Sequence, residues 1–263
     1  RHGLCEQAAG WEIPAAPILA DSAYGDDSAF RTRLAELEHE YVVAVRAETS
    51  VYGPETTFAV PPRDGTSGRP RTVARPDRKP ESVRALAERL PAEAWQTCLP
   101  HDAAGEDVSG RFAFVRVVAT HPVRNDHQPP RLEWLIVEWP EDEEGPSDHW
   151  LSNLGEDESR ERLARLARLR WQVELDYRQL KGELGLDHYE RRSYLGFHHH
   201  CALVTCAHAF LTLERLDPKR SGRLTLPQAV LLLQPVLRCW AGRCRTCRQP
   251  VDLDQLVLFP RRE

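Results

Sequence analysis

Residues 166 to 187 read Leu-Ala-Arg-Leu-Arg-Trp-Gln-Val-Glu-Leu-Asp-Tyr-Arg-Gln-Leu-Lys-Gly-Glu-Leu-Gly-Leu-Asp, and within them Arg170, Glu174 and Lys181 follow the spacing R-x3-E-x6-K. On a helix turning about 100° per residue, Glu174 lies roughly 40° and Lys181 roughly 20° around from Arg170, so a carboxylate and two cations share one face. Leu166, Leu169, Val173, Leu180 and Leu184 form an adjoining apolar stripe, expected to dock on a core while the charged row edges a cleft. A carboxylate able to hold a metal would then sit beside cations able to hold phosphates. Taken alone, an Arg170–Glu174 pair four residues apart is also an ordinary solvated ion pair contributing about 0.2–0.5 kcal/mol.

The helix that carries this row should open at Glu156-Asp157-Glu158-Ser159, which supply cap and dipole partners, and stop at Gly185. That predicts about 27 continuous residues, roughly 40 Å. Near the other end, Pro17-Ile18-Leu19-Ala20 is a short apolar run closing on Asp21, the pattern of a buried strand with an acid at its carboxyl end, where open α/β sheets bind ligands. Asp26, Asp27 and Ser28 offer N-caps for a helix through about Glu38 with Phe30, Leu34 and Leu37 on its apolar side. Tyr41 to Val45 reads as the return strand.

From Ala47 to Trp150 the pattern changes to β-branched and aromatic runs, Thr57–Val60, Phe112–Thr120 and Leu132–Trp139, with one amphipathic helix between Pro80 and Leu90. Periodicity leaves their pairing open. Glu141-Asp142-Glu143-Glu144 reads as a solvated turn. A helix from about His199 to Leu216, apolar around most of its circumference, is expected to be largely buried, and Leu224–Trp240 forms a further apolar segment.

Further motifs accompany the charged helix: Gly185-Leu186-Asp187-His188-Tyr189-Glu190-Arg191-Arg192-Ser193, Gly196-Phe197-His198-His199-His200, Leu19-Ala20-Asp21-Ser22-Ala23-Tyr24-Gly25-Asp26, Ser109-Gly110-Arg111-Phe112-Ala113 and Trp150-Leu151-Ser152-Asn153. In combination they resemble the bacterial insertion-sequence transposases of the DDE superfamily, in the branch whose glutamate helix carries Y-x2-R-x3-E-x6-K. The resemblance implies an α/β fold, an incomplete RNase H-like core with a β-rich insertion and a helical C-terminal part. Its segments would be core (1–46), insertion with a basic Pro/Gly loop at 62–80 (47–150), glutamate helix and buried helix (151–216) and C-terminal tail (217–263).

The resemblance also implies the chemistry: Mg2+- or Mn2+-dependent cleavage and strand transfer on double-stranded DNA, meaning transposon ends and target. Asp21 and Glu174 would be the catalytic metal ligands. Arg170, Arg178 and Lys181 would hold phosphates, with Tyr189 and Arg192 along the DNA; for Tyr189, packing is an equal reading. Position 167 would hold tyrosine in that pattern and holds Ala167 here, which implies a lost contact near the cleavage site. The first catalytic aspartate of such a set has no counterpart, since Glu6 and Glu12 are the acids before Asp21 and neither sits in a convincing strand. The chain begins at Arg1 and contains no methionine, so the expectation is the downstream part of a longer or interrupted reading frame, inactive or nearly so by itself. Robust sequence-specific nicking of a labelled DNA end would contradict that. The alternative is a non-catalytic DNA-binding or inhibitory remnant, partnered by a second copy or by a full-length transposase.

Charge is unevenly distributed. Residues 156–250 carry 17 Lys and Arg against 11 Asp and Glu, a net +6, although the whole chain is −5. A second basic stretch runs from Arg63 to Lys79. Its Arg69 and Arg71, among Pro and Gly, suit either a minor groove or a plain solvated loop. The seven cysteines are too few and scattered for a disulfide scaffold, so reduced thiols are expected. Cys239, Cys244 and Cys247 resemble part of a zinc site short of one ligand, with free thiols as the default. His198, His199 and His200 diverge by about 100° each on a helix, so one or two at most can face a common ion. No apolar run approaches the roughly 20 residues of a membrane helix, and the expected location is cytoplasmic, near the nucleoid.

Overall fold

The computed structural model describes residues 15–61, 73–98, 109–120, 131–190, 192–216 and 225–239. The chain divides into two compact units, Arg1–Trp171 and Gln172–Glu263.

In the first unit, Ile18–Ala20 forms β1, Ser22–Gly25 a single helical turn α1, Ser28–Glu36 helix α2, and Tyr41–Ala44 strand β2 parallel to β1. This strand–helix–strand unit follows the sequence closely. Asp27 caps α2 by accepting from the Ala29 and Phe30 amides, and Phe30 and Leu34 turn inward. The remaining strands are β3 (Ser50–Tyr52), β4 (Phe58–Ala59), β5 (Arg75–Pro76), β6 (Glu81–Ser82), β7 (Trp95–Cys98), β8 (Gly110–Ala119), β9 (Leu132–Trp139) and β10 (Asp148–Ser152). Helix α3, Val83–Glu88, is capped by Ser82.

The pairing that periodicity left open now has an answer. Most strands after β2 extend its sheet in the order β1-β2-β10-β9-β8-β3-β6, with β7 also on β8; β1–β2 is parallel and the other described pairs are antiparallel, while β4 and β5 pair separately. Alternation sends Val43, Leu135, Val137 and Leu151 to one face, where α2 and α3 contribute Phe30, Leu34, Val83 and Leu86. Val42, Ile136, Trp134 and Phe112 go to the other face and meet Leu163, Ala164, Leu166 and Ala167 of helix α4, Arg160–Leu169. The result is a mixed α/β layer structure with helices on both sides of a mixed sheet. Asn153 locks its junction, donating to the His39 carbonyl and accepting from the Tyr41 amide.

Three expectations need correction. The long helix is interrupted at Arg170, whose amide turns to the Arg168 carbonyl, and α5 restarts at Trp171 and runs to Gly182. The apolar stripe consequently does not dock as one surface. Leu166 is buried in the sheet core, while Leu169 and Val173 are exposed. Helix α6, Tyr194–Leu216, begins earlier than expected and is not largely buried, since Leu203 is 72% and Leu213 68% exposed. Among the described residues its apolar partners lie on one side, where Leu211 meets Leu226 and Ala229 of helix α7 (Leu226–Cys239), and these cannot cover a helix that is apolar most of the way round.

Part of the basic stretch is structured: β5 pairs with β4, Asp77 accepts from the amide and hydroxyl of Thr57, and Arg78 bonds Glu55 at 2.8 Å. Arg69, Arg71, Cys244 and Cys247 lie outside the described residues, as does the side chain of Cys239. Cys98, Cys201 and Cys206 are free thiols. Among the described residues, no helix is long and apolar enough to cross a membrane.

His149 of β10 is 4% exposed, and its Nε2 has no hydrogen-bond partner. Burial holds its pKa below the usual value, against the pull of Asp148 and helped by Arg84. In the unfolded chain the imidazole takes up a proton below about pH 6.5, while the folded state resists it. Stability present above that pH is therefore lost as the pH falls toward the lower folded value. His149→Gln is expected to flatten this part of the acid limb in urea titrations at a series of pH values; an unchanged slope between about pH 6.5 and 5 would rule the imidazole out as its source.

Candidate functional site

Asp21 follows the last residue of β1 and begins α1. Its Oδ1 accepts the Ala23 amide at 3.1 Å, and its backbone carbonyl accepts the Gly25 amide at 2.8 Å. Among the described residues its Oδ2 takes no donor, so one carboxyl oxygen remains available at the carboxyl end of a parallel strand pair. Its neighbours are already engaged. Asp26 accepts from the Arg46 amide (3.1 Å), Arg46 Nε (2.5 Å) and Thr49 Oγ1 (2.6 Å); burial pushes its pKa up, but the Thr49 and Arg46 contacts hold it below the ordinary carboxylate value. Asp27 is the cap of α2. Of three acids in seven residues, Asp21 is the one built to offer an oxygen, and a hard divalent cation fits such a donor.

The turn is pressed against the sheet. A Cβ added to Gly25 would fall inside the Ala44 carbonyl oxygen and 2.9 Å from the carbonyl carbon, so the DSAYGD run requires glycine at that position. Below it, Arg31 of α2 is 2% exposed and donates Nη1 to the Gly25 carbonyl. Glu133 of β9, also 2% exposed, interacts electrostatically with Arg31 and accepts a hydrogen bond from Tyr41. Burial raises the Glu133 pKa, with Arg31 pulling the other way. Burial and Glu133 together push the Tyr41 phenol far above its usual range, so it remains a donor. Sequence reading missed this trio. The available signal was position 31, three residues before Leu34 and therefore on the inward face of α2.

The second unit contains α5 from Gln172 onward. Gln172 donates to Asp176 at 2.7 Å, and His208 of α6 lies 3.3 Å from Gln179 Oε1 and 3.9 Å from Asp176 Oδ1. These contacts fix one side of α5 against α6. Glu174, Arg178 and Lys181 are exposed, with Val173 and Tyr177 exposed beside them. Arg170 belongs to the first unit, at the carboxyl end of α4. Ala167 is buried under the same helix, against the sheet.

After α5 the chain reverses at Gly185, at φ 72°, as the expected stop. Tyr189 packs on Phe197 and His200, and its hydroxyl donates to the Ser193 carbonyl at 2.9 Å. His200 bonds the Gly185 carbonyl, His198 packs on Tyr194, and His199 is exposed, so the three histidines point to different tasks. Arg192 is exposed. Among the described residues, no three His, Cys, Asp or Glu side chains form a group that could hold a metal ion.

The first unit is thus a mixed α/β domain with an acid at the carboxyl end of a strand. A family model described as DDE superfamily endonuclease matches residues 3–104, the span containing Asp21. No curated protein matches the chain.

Proposed function

We propose that the chain belongs to a DDE-type transposase catalytic region with an RNase H-like core, built for double-stranded DNA with Mg2+ or Mn2+ and inactive or nearly so by itself, because its acids include no counterpart of the first catalytic aspartate. The carrying observation is Asp21, with an oxygen that takes no donor among the described residues, at a strand end inside the matched span. Asp21 and Glu174 are the metal ligands in this reading. The bound ions would activate the attacking hydroxyl and stabilise the leaving oxygen. The chain's own residues position charge: Asp21 presents Oδ2, and Arg170, Arg178 and Lys181 hold backbone phosphates. Arg192, Arg69, Arg71 and the ring of Tyr189 extend the DNA contacts.

Mn2+ binding measured by water-proton relaxation tests the acids without requiring turnover. Asp21→Asn and Glu174→Gln should each weaken binding about tenfold or more, while Glu141→Gln in the exposed turn should not. Unchanged affinity in both acid variants would refute the assignment. For DNA, Arg178→Gln and Lys181→Gln should each reduce the salt slope of duplex retention by about one.

A further inference from the structure

We propose that Arg31 is a positioning residue for Asp21, acting through Gly25; the inference rests on the reading of Asp21 as a cation ligand. The relay has two hydrogen bonds. The Gly25 amide holds the Asp21 carbonyl, and Arg31 Nη1 holds the Gly25 carbonyl. Gly25 is therefore gripped on both sides of its Cα, against a strand end that leaves no room for movement toward Ala44. Among the described residues the Asp21 carboxylate is anchored by the Ala23 amide alone, so its direction follows the position of this single turn.

The arrangement is expensive as pure scaffolding. A guanidinium 2% exposed, with Nε lacking an acceptor, is a poorer core element than an apolar side chain of the same volume. Glu133 attracts Arg31, and Tyr41 donates to Glu133, so buried polar groups from α2, β9 and β2 are linked, with Arg31 bonding the acidic turn. Substituting only the guanidinium's reach should leave the sheet intact and release the turn. Asp21 would then sample several orientations, and a ligand that must be preorganised to bind a cation would lose affinity.

The test uses the full 263-residue chain with Arg31→Met and Arg31→Lys, read by urea unfolding, hydrogen exchange of the Ala23 and Gly25 amides, and Mn2+ affinity. The expected result for Arg31→Met is a cooperative fold with protected Val43 and Leu151 amides, lost protection at Ala23 and Gly25, and Mn2+ binding about tenfold weaker; Arg31→Lys should recover part of that loss. A folded Arg31→Met with unchanged Mn2+ affinity overturns the proposal, whether or not the amides change. If Arg31→Met does not fold, Arg31→Lys decides: weaker Mn2+ binding with unprotected turn amides supports the relay, and wild-type behaviour in both overturns it. Asp21→Asn in parallel separates the two ideas, because Mn2+ binding indifferent to that change sinks the ligand assignment itself.

Discussion

Gly25→Ala should lose about 3 kcal/mol, the upper part of the range for forcing a methyl into a filled site. The obstacle is the Ala44 backbone, which no rotamer change can move, with the Val43 side chain 3.2 Å away on the same side. Relief requires α1 to lift off the end of β2, and that motion stretches the bond from the Gly25 amide to Asp21 and the one from Arg31 to the Gly25 carbonyl. Stability and the Asp21 geometry should therefore fall together. The measurement is a urea titration in which the midpoint drops while the slope is retained. Gly145→Ala, where a Cβ meets nothing within 4 Å, is the control. A Gly25→Ala midpoint equal to the control's would mean that the turn does not rest on β2.

What was legible in the sequence divides along physical lines. Local signals carried through: the apolar run ending at Asp21, the Asp27 cap with Phe30 and Leu34 on one face, β9 at Leu132–Trp139, and the left-handed Gly185. Each is encoded by neighbours within a turn or two of chain. Partners distant in sequence were not legible. Leu151 lies beside Val43, and Asn153 closes on Tyr41 across 112 residues; no periodicity specifies such a register. The interruption at Arg170 was invisible because helix propensity continues through it. The exposure of α6 was misread because apolar composition shows what a helix can bury, not whether a partner is there to cover it.

The candidate site shows the same division. An acid at a strand end can be picked out from Asp21 and its apolar approach. That Asp26 is consumed by Arg46 and Thr49 while Asp21 keeps an oxygen depends on the loop after β2 returning to the same end of the sheet, a consequence of parallel pairing. Arg31 was overlooked because arginine on a short amphipathic helix is ordinarily solvated.

Glu133→Ala should be among the most destabilising single changes, about 3–5 kcal/mol, because it strips the balancing charge from a buried arginine and the acceptor from a buried phenol at once. Glu133→Gln separates the two contributions, since the amide can still accept from Tyr41. The sign of its pH dependence follows from burial. Burial raises the folded-state pKa above the unfolded value near pH 4.3, so the folded acid holds its proton to a higher pH than the unfolded chain does. Wild-type stability is thus eroded by Glu133 as the pH rises above that value, and the Gln variant lacks the erosion. Relative to wild type, Glu133→Gln should improve from acid toward neutral pH, measured as the difference in urea midpoints. The opposite tilt would show that attraction to Arg31 outweighs burial; in either case Ala remains the worse substitution, because only Ala leaves both Arg31 and Tyr41 without this partner.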